Sequence, residues 1–273
     1  MDPVRCLAYH QLMKNFNFCA SPQSRHLVLL ILVLGSLILM LLQAPIKQDL
    51  GYHYFVDTRN LFGIPNFYNV ISNLPFFLVG IFGVLFCTKQ TQSDLRLEWL
   101  CFFASISLVS IGSAYYHLHP DNQSLVWDRM PMTMAFMGLF AALLGEFVDI
   151  RLAKYGLLPM ILIGLSSVLV WHWFDDLRFY VWVQFMPLLL IPAMLMLYRS
   201  RYTHSHLLIP VLVLYVLAKM LEAFDAQIFS LFHNEMSGHA IKHVLAALGS
   251  GIILWMLRVR KPIDLAGVGI AHH

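Results

Sequence analysis

Charge is scarce in this sequence. Asp, Glu, Lys and Arg make up 12% of the 273 residues, which is about half of the ~25% that is usual in soluble domains. Hydrophobic residues make up 59% of the chain and the mean hydropathy is +0.69. The hydrophobic core of one soluble domain cannot enclose so much apolar material. A water-soluble fold is therefore excluded, and lipid is the expected solvent.

The chain also lacks a large excess of one charge. Its 18 Lys and Arg against 15 Asp and Glu give a net charge of +3, and the longest basic cluster is Arg258, Arg260 and Lys261. This pattern excludes nucleic acid as a partner and leaves membrane lipids. The four cysteines form no CxxC pair and do not indicate a redox compartment. Internal repeats, low-complexity segments and linkers are missing too, which indicates a single membrane domain.

Long apolar stretches are what the sequence does contain. A transmembrane helix needs about 20 mostly apolar residues to cross ~30 Å of hydrocarbon. Eight such stretches predict an all-α, polytopic helical bundle. They are Leu27–Leu42, Phe67–Cys87, Trp99–His117, Met130–Val148, Tyr155–Trp173, Phe179–Tyr198, Leu207–Phe224 and His239–Leu257.

The first stretch is the shortest, and a cleaved signal peptide is its competing interpretation. The polar segment before it is long for a signal peptide, and no A-x-A cleavage site follows Leu42. We therefore expect a retained membrane helix.

The distribution of Lys and Arg outside the spans predicts the orientation. With the N-terminus in the cytoplasm, 12 of the 18 basic residues lie on the cytoplasmic side, and only Lys47, Arg59, Arg129 and Arg178 lie on the other. The positive-inside rule then places both termini in the cytoplasm. The helix ends near His117, Asp128 and His239 are expected to share the outer side.

Histidines at the helix ends predict a metal site. His239 and His243 are four residues apart and lie on one face of the last helix. Catalytic zinc typically takes three protein ligands, and His117 ends a helix on the same predicted side. We expect these three residues to bind Zn²⁺; the alternative is that they only form hydrogen bonds with carbonyl groups near a helix start.

Two further polar residues flank this site. Ser113 precedes His117 by one helical turn, and Asp128 follows a turn that can bring the next helix back. Asp128 is the expected acid/base, because no glutamate accompanies the His239 and His243 pair, and Ser113 is the expected oxyanion donor. In the alternative interpretation, Asp128 is an N-cap paired with Arg129, and the Ser113 hydroxyl bonds its own helix backbone.

Three separated motifs and the last-helix histidines resemble a known family. FYNVISNLPF at 67–76, GSAYYH at 112–117, WDRMPM at 127–132 and the final HxxxH occur in the order seen in alkaline ceramidases, within the wider group that includes adiponectin-receptor-like hydrolases. The resemblance covers about residues 50 to 260. It implies a seven-helix membrane amidase with zinc held by His117, His239 and His243, and with Ser113 and Asp128 beside it.

The resemblance also implies a domain organisation. We expect a cytoplasmic tail and an extra helix in residues 1–50, a ceramidase-like seven-helix domain in 51–260 and a C-terminal tail in 261–273. Eukaryotic members bind calcium through an acidic segment before the first core helix. Here the stretch Tyr52–Arg59 is poor in carboxylates, and Asn66 stands where an acidic residue is expected, so a calcium site is disfavoured.

Lys219 and Glu222 are three residues apart in the seventh span, with Asp225 nearby. Mutual neutralisation inside the bundle is the favoured interpretation, ahead of proton supply or substrate binding. His172, between two tryptophans, is expected at the membrane interface.

These residues predict an integral membrane hydrolase, with zinc as cofactor, that cleaves the amide of a ceramide-like lipid to a sphingoid base and a fatty acid. Three alternatives stay open. They are a zinc-dependent esterase, phospholipid-remodelling or receptor-like hydrolase, a metal or proton transporter, and a haem protein.

Overall fold

The computed structural model of the protein describes residues 21–90 and 93–263. The predicted N-terminal tail as far as residue 20, with Cys6 and Cys19, and the end of the C-terminal tail after residue 263 lie outside these ranges. Within them the chain is helical and forms no β-strand. The α-helices are α1 (Pro22–Leu42), α2 (Phe67–Ile71), α3 (Leu74–Lys89), α4 (Arg96–Leu118), α5 (Asn122–Phe147), α6 (Ile150–Phe174), α7 (Arg178–Leu197), α8 (Leu208–Ala223), α9 (Asp225–Leu231) and α10 (Gly238–Val259).

Eight helical segments are long and apolar enough to cross a membrane, with α2 and α3 counted as one. This confirms the all-α polytopic bundle and the eight predicted spans. The protein is thus an integral membrane protein. The short first stretch is longer than predicted, because α1 begins at Pro22 and Ser21 caps it by accepting the N–H of Ser24.

Two differences in helix boundaries from the sequence prediction have a local cause. The second span is interrupted after Ile71, and Pro75 lies in the first turn of α3, where a missing N–H costs nothing. Helix α5 begins at Asn122 instead of Met130, because Asp121 and Ser124 form a reciprocal capping box. Asp128 therefore lies in the second turn of α5, and the alternative interpretation of Asp128 as an N-cap is wrong.

The core of the bundle is built on α4 and α5. In the apolar 18-residue segments of these two helices, 61% and 67% of the residues are buried. α3 packs on α4, α6 packs on α5, and α7 packs on both α5 and α6. On the other side, α10 packs between α3 and α8. Helix α1 lies outside this arrangement: it packs against α7, where Trp182 Nε1 donates to Ser36 Oγ at 3.1 Å.

Small residues let the central helices approach closely, as is usual in membrane bundles. A Cβ at Gly112 of α4 would overlap the carbonyl group of Trp127 in α5. The backbones thus touch where α4 ends and α5 begins. This contact brings Ser113 next to Asp128.

Gly112→Ala is therefore expected to destabilise the fold by about 1–3 kcal/mol, because the added methyl group has no space between two backbones. Thermal unfolding of the purified protein measures the change. Gly35→Ala in α1 is the matched control, since nothing lies within 4 Å of the added Cβ there. Equal melting temperatures for the two variants would contradict the close packing of α4 on α5.

Candidate metal centre

Three buried histidines from two helices meet at one end of the bundle. His117 lies in the last turn of α4, and His239 and His243 lie in the first two turns of α10. Their ring centroids are 4.9, 5.0 and 5.1 Å apart, so they form a nearly equilateral triangle. One ring nitrogen of each lies within 4.8 Å of the others, close to the ~3–4 Å expected for nitrogens ~2 Å from one ion.

The position of α10 is fixed at its first turn. A Cβ at Gly238 would overlap the carbonyl oxygen of Leu221, so the start of α10 lies directly against the end of α8. The Ser237 hydroxyl accepts the N–H of Ala240 at 3.0 Å, and Asp225 accepts the N–H of His239 at 2.8 Å. These caps satisfy N–H groups at the helix start and hold His239 towards His117.

The hydrogen bonds leave ring nitrogens available for a metal. Both nitrogens of His117 are buried and have no hydrogen-bond partner. Leaving a buried polar group unpaired costs about 1–3 kcal/mol, and a metal ion removes that cost by taking one nitrogen. The neutral imidazoles of the three residues are a donor set that suits zinc among other transition metals.

Ser72 orients one of the three imidazoles. Its hydroxyl lies 2.8 Å from Nδ1 of His243 and donates to the carbonyl oxygen of Asn69 at 3.1 Å. A hydroxyl that donates to a carbonyl accepts from the imidazole, so Nδ1 carries the proton and Nε2 faces the metal position. Outer-shell bonds of this kind fix the tautomer and the ring orientation of metal-binding histidines.

Sequence reasoning did not assign these roles to Asn69 and Ser72. Both belong to the motif at 67–76, which contributed only to the family resemblance. The signal in the sequence was that three polar residues, Asn69, Ser72 and Asn73, lie at helical spacing inside an apolar span. Asn73 donates to the carbonyl oxygen of Asn69 at 2.8 Å, and its own carbonyl accepts from Ser110 of α4.

Asp128 and Ser113 are neighbours where α4 and α5 touch. The Ser113 hydroxyl interacts with the carboxyl group of Asp128, and Ser113 lies one turn before His117 on the same face of α4. The group of potential ligands is His117, His239 and His243 and does not include Asp128, whose acid/base role stays a prediction. Its predicted alternative partner Arg129 instead donates to Gln48 Oε1 at 2.8 Å, so the proposed Asp128–Arg129 pair is wrong.

The connection between α1 and α2 covers the site. The Phe55 ring packs on His117 and His239 at centroid distances of 4.7 and 5.1 Å. His53 contacts the Tyr116 hydroxyl and the side chain of Asn122, each at 3.0 Å. The three imidazoles are thus closed off at this end of the bundle, a feature that the sequence did not reveal.

A charged cluster lies next to the centre. Lys219 and Glu222 form the predicted ion pair, and Lys242 of α10 binds the same carboxylate. The Tyr52 hydroxyl donates to Glu222 Oε1 at 3.1 Å. Burial and the negative charge of Glu222 raise the pKa of Tyr52 well above its usual value, so Tyr52 remains a donor. The sequence did not predict the ion pair of Lys242, because its partner Glu222 lies on another helix.

Two other sequence expectations concern the same end of the bundle. Asp57 is held by Arg59, which donates to its two carboxylate oxygens at 2.8 and 2.7 Å. The disfavoured calcium site stays a prediction. His172 is exposed in the last turn of α6, next to the exposed Trp173.

Comparison of the chain with protein-family models and with curated proteins finds no significant match.

Replacing His117 or His243 by Ala is expected to lower the zinc content of the purified protein from about one ion per chain to near zero, because two imidazoles rarely hold the ion alone. Elemental analysis after dialysis measures the ratio. His172→Ala is the control, since this residue is exposed and does not belong to the group of three histidines. Full zinc content in His117→Ala would refute the metal site.

Ser72→Ala is expected to weaken zinc binding by about 10–100-fold without removing a ligand, because the imidazole of His243 loses the bond that orients it. Competition with a chromophoric chelator measures the affinity. In the control Ser166→Ala, the lost hydroxyl bonds only the backbone of its own helix. An unchanged affinity in Ser72→Ala would show that the ring is positioned by packing alone.

Proposed function

We propose that the protein is a zinc-dependent membrane amidase that hydrolyses ceramide-like lipids to a sphingoid base and a fatty acid. The observation that carries this proposal is the buried triangle of His117, His239 and His243, with Ser113 one helical turn before His117 and Asp128 in contact with Ser113. The motifs that resemble alkaline ceramidases supply the same five residues. The match between spacing and geometry supports a catalytic use of the site.

Zinc, when bound by the three imidazoles, supplies a Lewis acid that polarises the amide carbonyl and lowers the pKa of the attacking water. In this proposal Asp128 takes the proton of that water and returns it to the leaving amine. The balance is one amide and one water consumed, and one amine and one carboxylic acid formed.

Ser113 has two uses in this scheme. Its hydroxyl first orients the carboxylate of Asp128. Once Asp128 carries the proton, this hydroxyl is free to donate a hydrogen bond to the oxygen on which negative charge develops. The two residues therefore act in sequence at one side of the histidine triangle.

The surroundings of the site favour a lipid. The triangle lies at the ends of membrane helices, and Phe55 covers it from the end of the bundle. A substrate that already resides in the bilayer reaches such a site without crossing water. The placement at helix ends also distinguishes it from transport sites, which lie near the bilayer midplane.

The orientation forms part of the proposal. The start of α1 and the end of α10 both lie at the opposite end of the bundle from the histidines. With the excess of Lys and Arg at that opposite end, the positive-inside rule places both termini in the cytoplasm and the site towards the outer side.

Purified protein is expected to hydrolyse a labelled ceramide, and Asp128→Ala and His239→Ala are each expected to reduce the rate by about 10³-fold, in the range of one lost general base or metal ligand. Product fatty acid is measured by mass spectrometry. His172→Ala, which keeps the site intact, is the control for expression and folding.

A matched lipid ester, tested in the same assay, separates the amidase from an esterase or phospholipid-remodelling hydrolase. Faster hydrolysis of the ester than of the amide would favour that second activity. Full amide hydrolysis by both Asp128→Ala and His239→Ala would refute the proposed mechanism.

A further inference from the structure

Arg129 differs from the other strongly buried cations in the described part of the chain. Lys242 is paired with Glu222, and Arg260 with Glu146 at 2.6 Å. Arg129 is only 6% exposed, yet within the described residues no carboxylate oxygen lies within 4.0 Å of its guanidinium. Its charge is therefore buried without a counter-ion.

The donors of this guanidinium are not all used. Nη2 donates to the neutral side chain of Gln48, and Nη1 is buried without a hydrogen-bond partner. The guanidinium lies over the rings of Trp171 and Tyr180, 4.1 and 4.7 Å from their centroids, and the Tyr180 hydroxyl is also near. Cation–π contacts offset part of the desolvation, but they leave the donor at Nη1 unpaired.

The nearby carboxylates already have other partners. Asp128 interacts with Ser113, Glu222 binds two lysines, and Asp225 accepts the N–H of His239. An uncompensated charge inside a membrane bundle is costly and marks a functional position. Asp128 interacts with Arg129 only from beyond 4.0 Å, so the described residues supply no close anionic partner for this guanidinium.

We propose that Arg129 binds an oxyanion, a phosphate or carboxylate, in the headgroup of the lipid that occupies the site. A guanidinium with a free N–H forms a strong charge-assisted hydrogen bond with such a group. Arg129 directly follows Asp128, and successive side chains on a helix point ~100° apart, so the headgroup lies beside the reacting amide. The amide part rests on the proposed function, whereas the oxyanion site follows from Arg129 itself.

The test compares two labelled ceramide analogues with identical chains, each with a sulfonamide in place of the amide so that hydrolysis does not interfere. One carries a phosphate on the headgroup and the other is uncharged. The purified full-length protein, in nanodiscs of neutral phosphatidylcholine, is expected to bind the phosphate analogue at least about tenfold more tightly, as one charge-assisted hydrogen bond provides.

Arg129→Gln is expected to abolish this preference and to leave the affinity for the uncharged analogue unchanged. Arg178→Gln is the matched control, because Arg178 lies at the same end of the bundle and is already paired with Asp176 at 2.7 Å. If Arg129→Gln does not fold, Arg129→Lys keeps the charge and loses the planar donors, and it is expected to reduce the preference. Equal affinity of the wild type for both analogues, or an unchanged preference in the folded Arg129 variant, would overturn the proposal.

Inorganic phosphate is included as a competitor to separate a lipid headgroup from a free anion. Weak competition at millimolar phosphate supports the lipid, whereas displacement at micromolar phosphate would overturn the headgroup assignment. Binding here does not require turnover. If the protein prefers the phosphate analogue but hydrolyses no amide, the proposed amidase activity is contradicted and the oxyanion site is supported. If it hydrolyses the amide but binds both analogues equally, the oxyanion site is contradicted and the amidase activity is supported.

Discussion

Inside a bilayer no water satisfies polar groups, so each buried donor or acceptor needs a partner within the protein or a ligand. His117 is the residue at which this constraint is strongest, because both of its ring nitrogens are buried and unpaired. Two more imidazoles face it across about 5 Å. A metal ion would satisfy all three at once, since one ring nitrogen of each lies within 4.8 Å of the others.

The helices are held at the distances that this arrangement needs. Gly112 lets the end of α4 touch the start of α5, which brings Asp128 to Ser113. Gly238 lets the start of α10 touch the end of α8. Both glycines lie beside a residue of the site, so close backbone approach and chemistry are coupled at the same turns. Ser72, between α2 and α3, then fixes the orientation of His243.

Two buried cations near the three histidines, Lys242 and Arg129, have different kinds of partner. Lys242 is paired with Glu222, which also binds Lys219 and the Tyr52 hydroxyl. Arg129 is held by aromatic rings and one amide, and one of its donors is free. The ion pair of Lys242 stabilises the bundle next to the site, whereas the proposed role of Arg129 is to bind a ligand anion.

The sequence by itself determined the all-α membrane fold, the eight spans and the three histidines that the structure brings together, because hydropathy and i, i+4 spacing are local properties. It misplaced the start of α5, where a capping box overrode hydropathy, and it missed Ser72, Lys242 and Phe55. Those roles depend on contacts between residues far apart in the chain, such as Ser72 with His243. Only the tertiary structure decided them, because a hydrogen bond or an ion pair exists only where packing brings its two partners within reach.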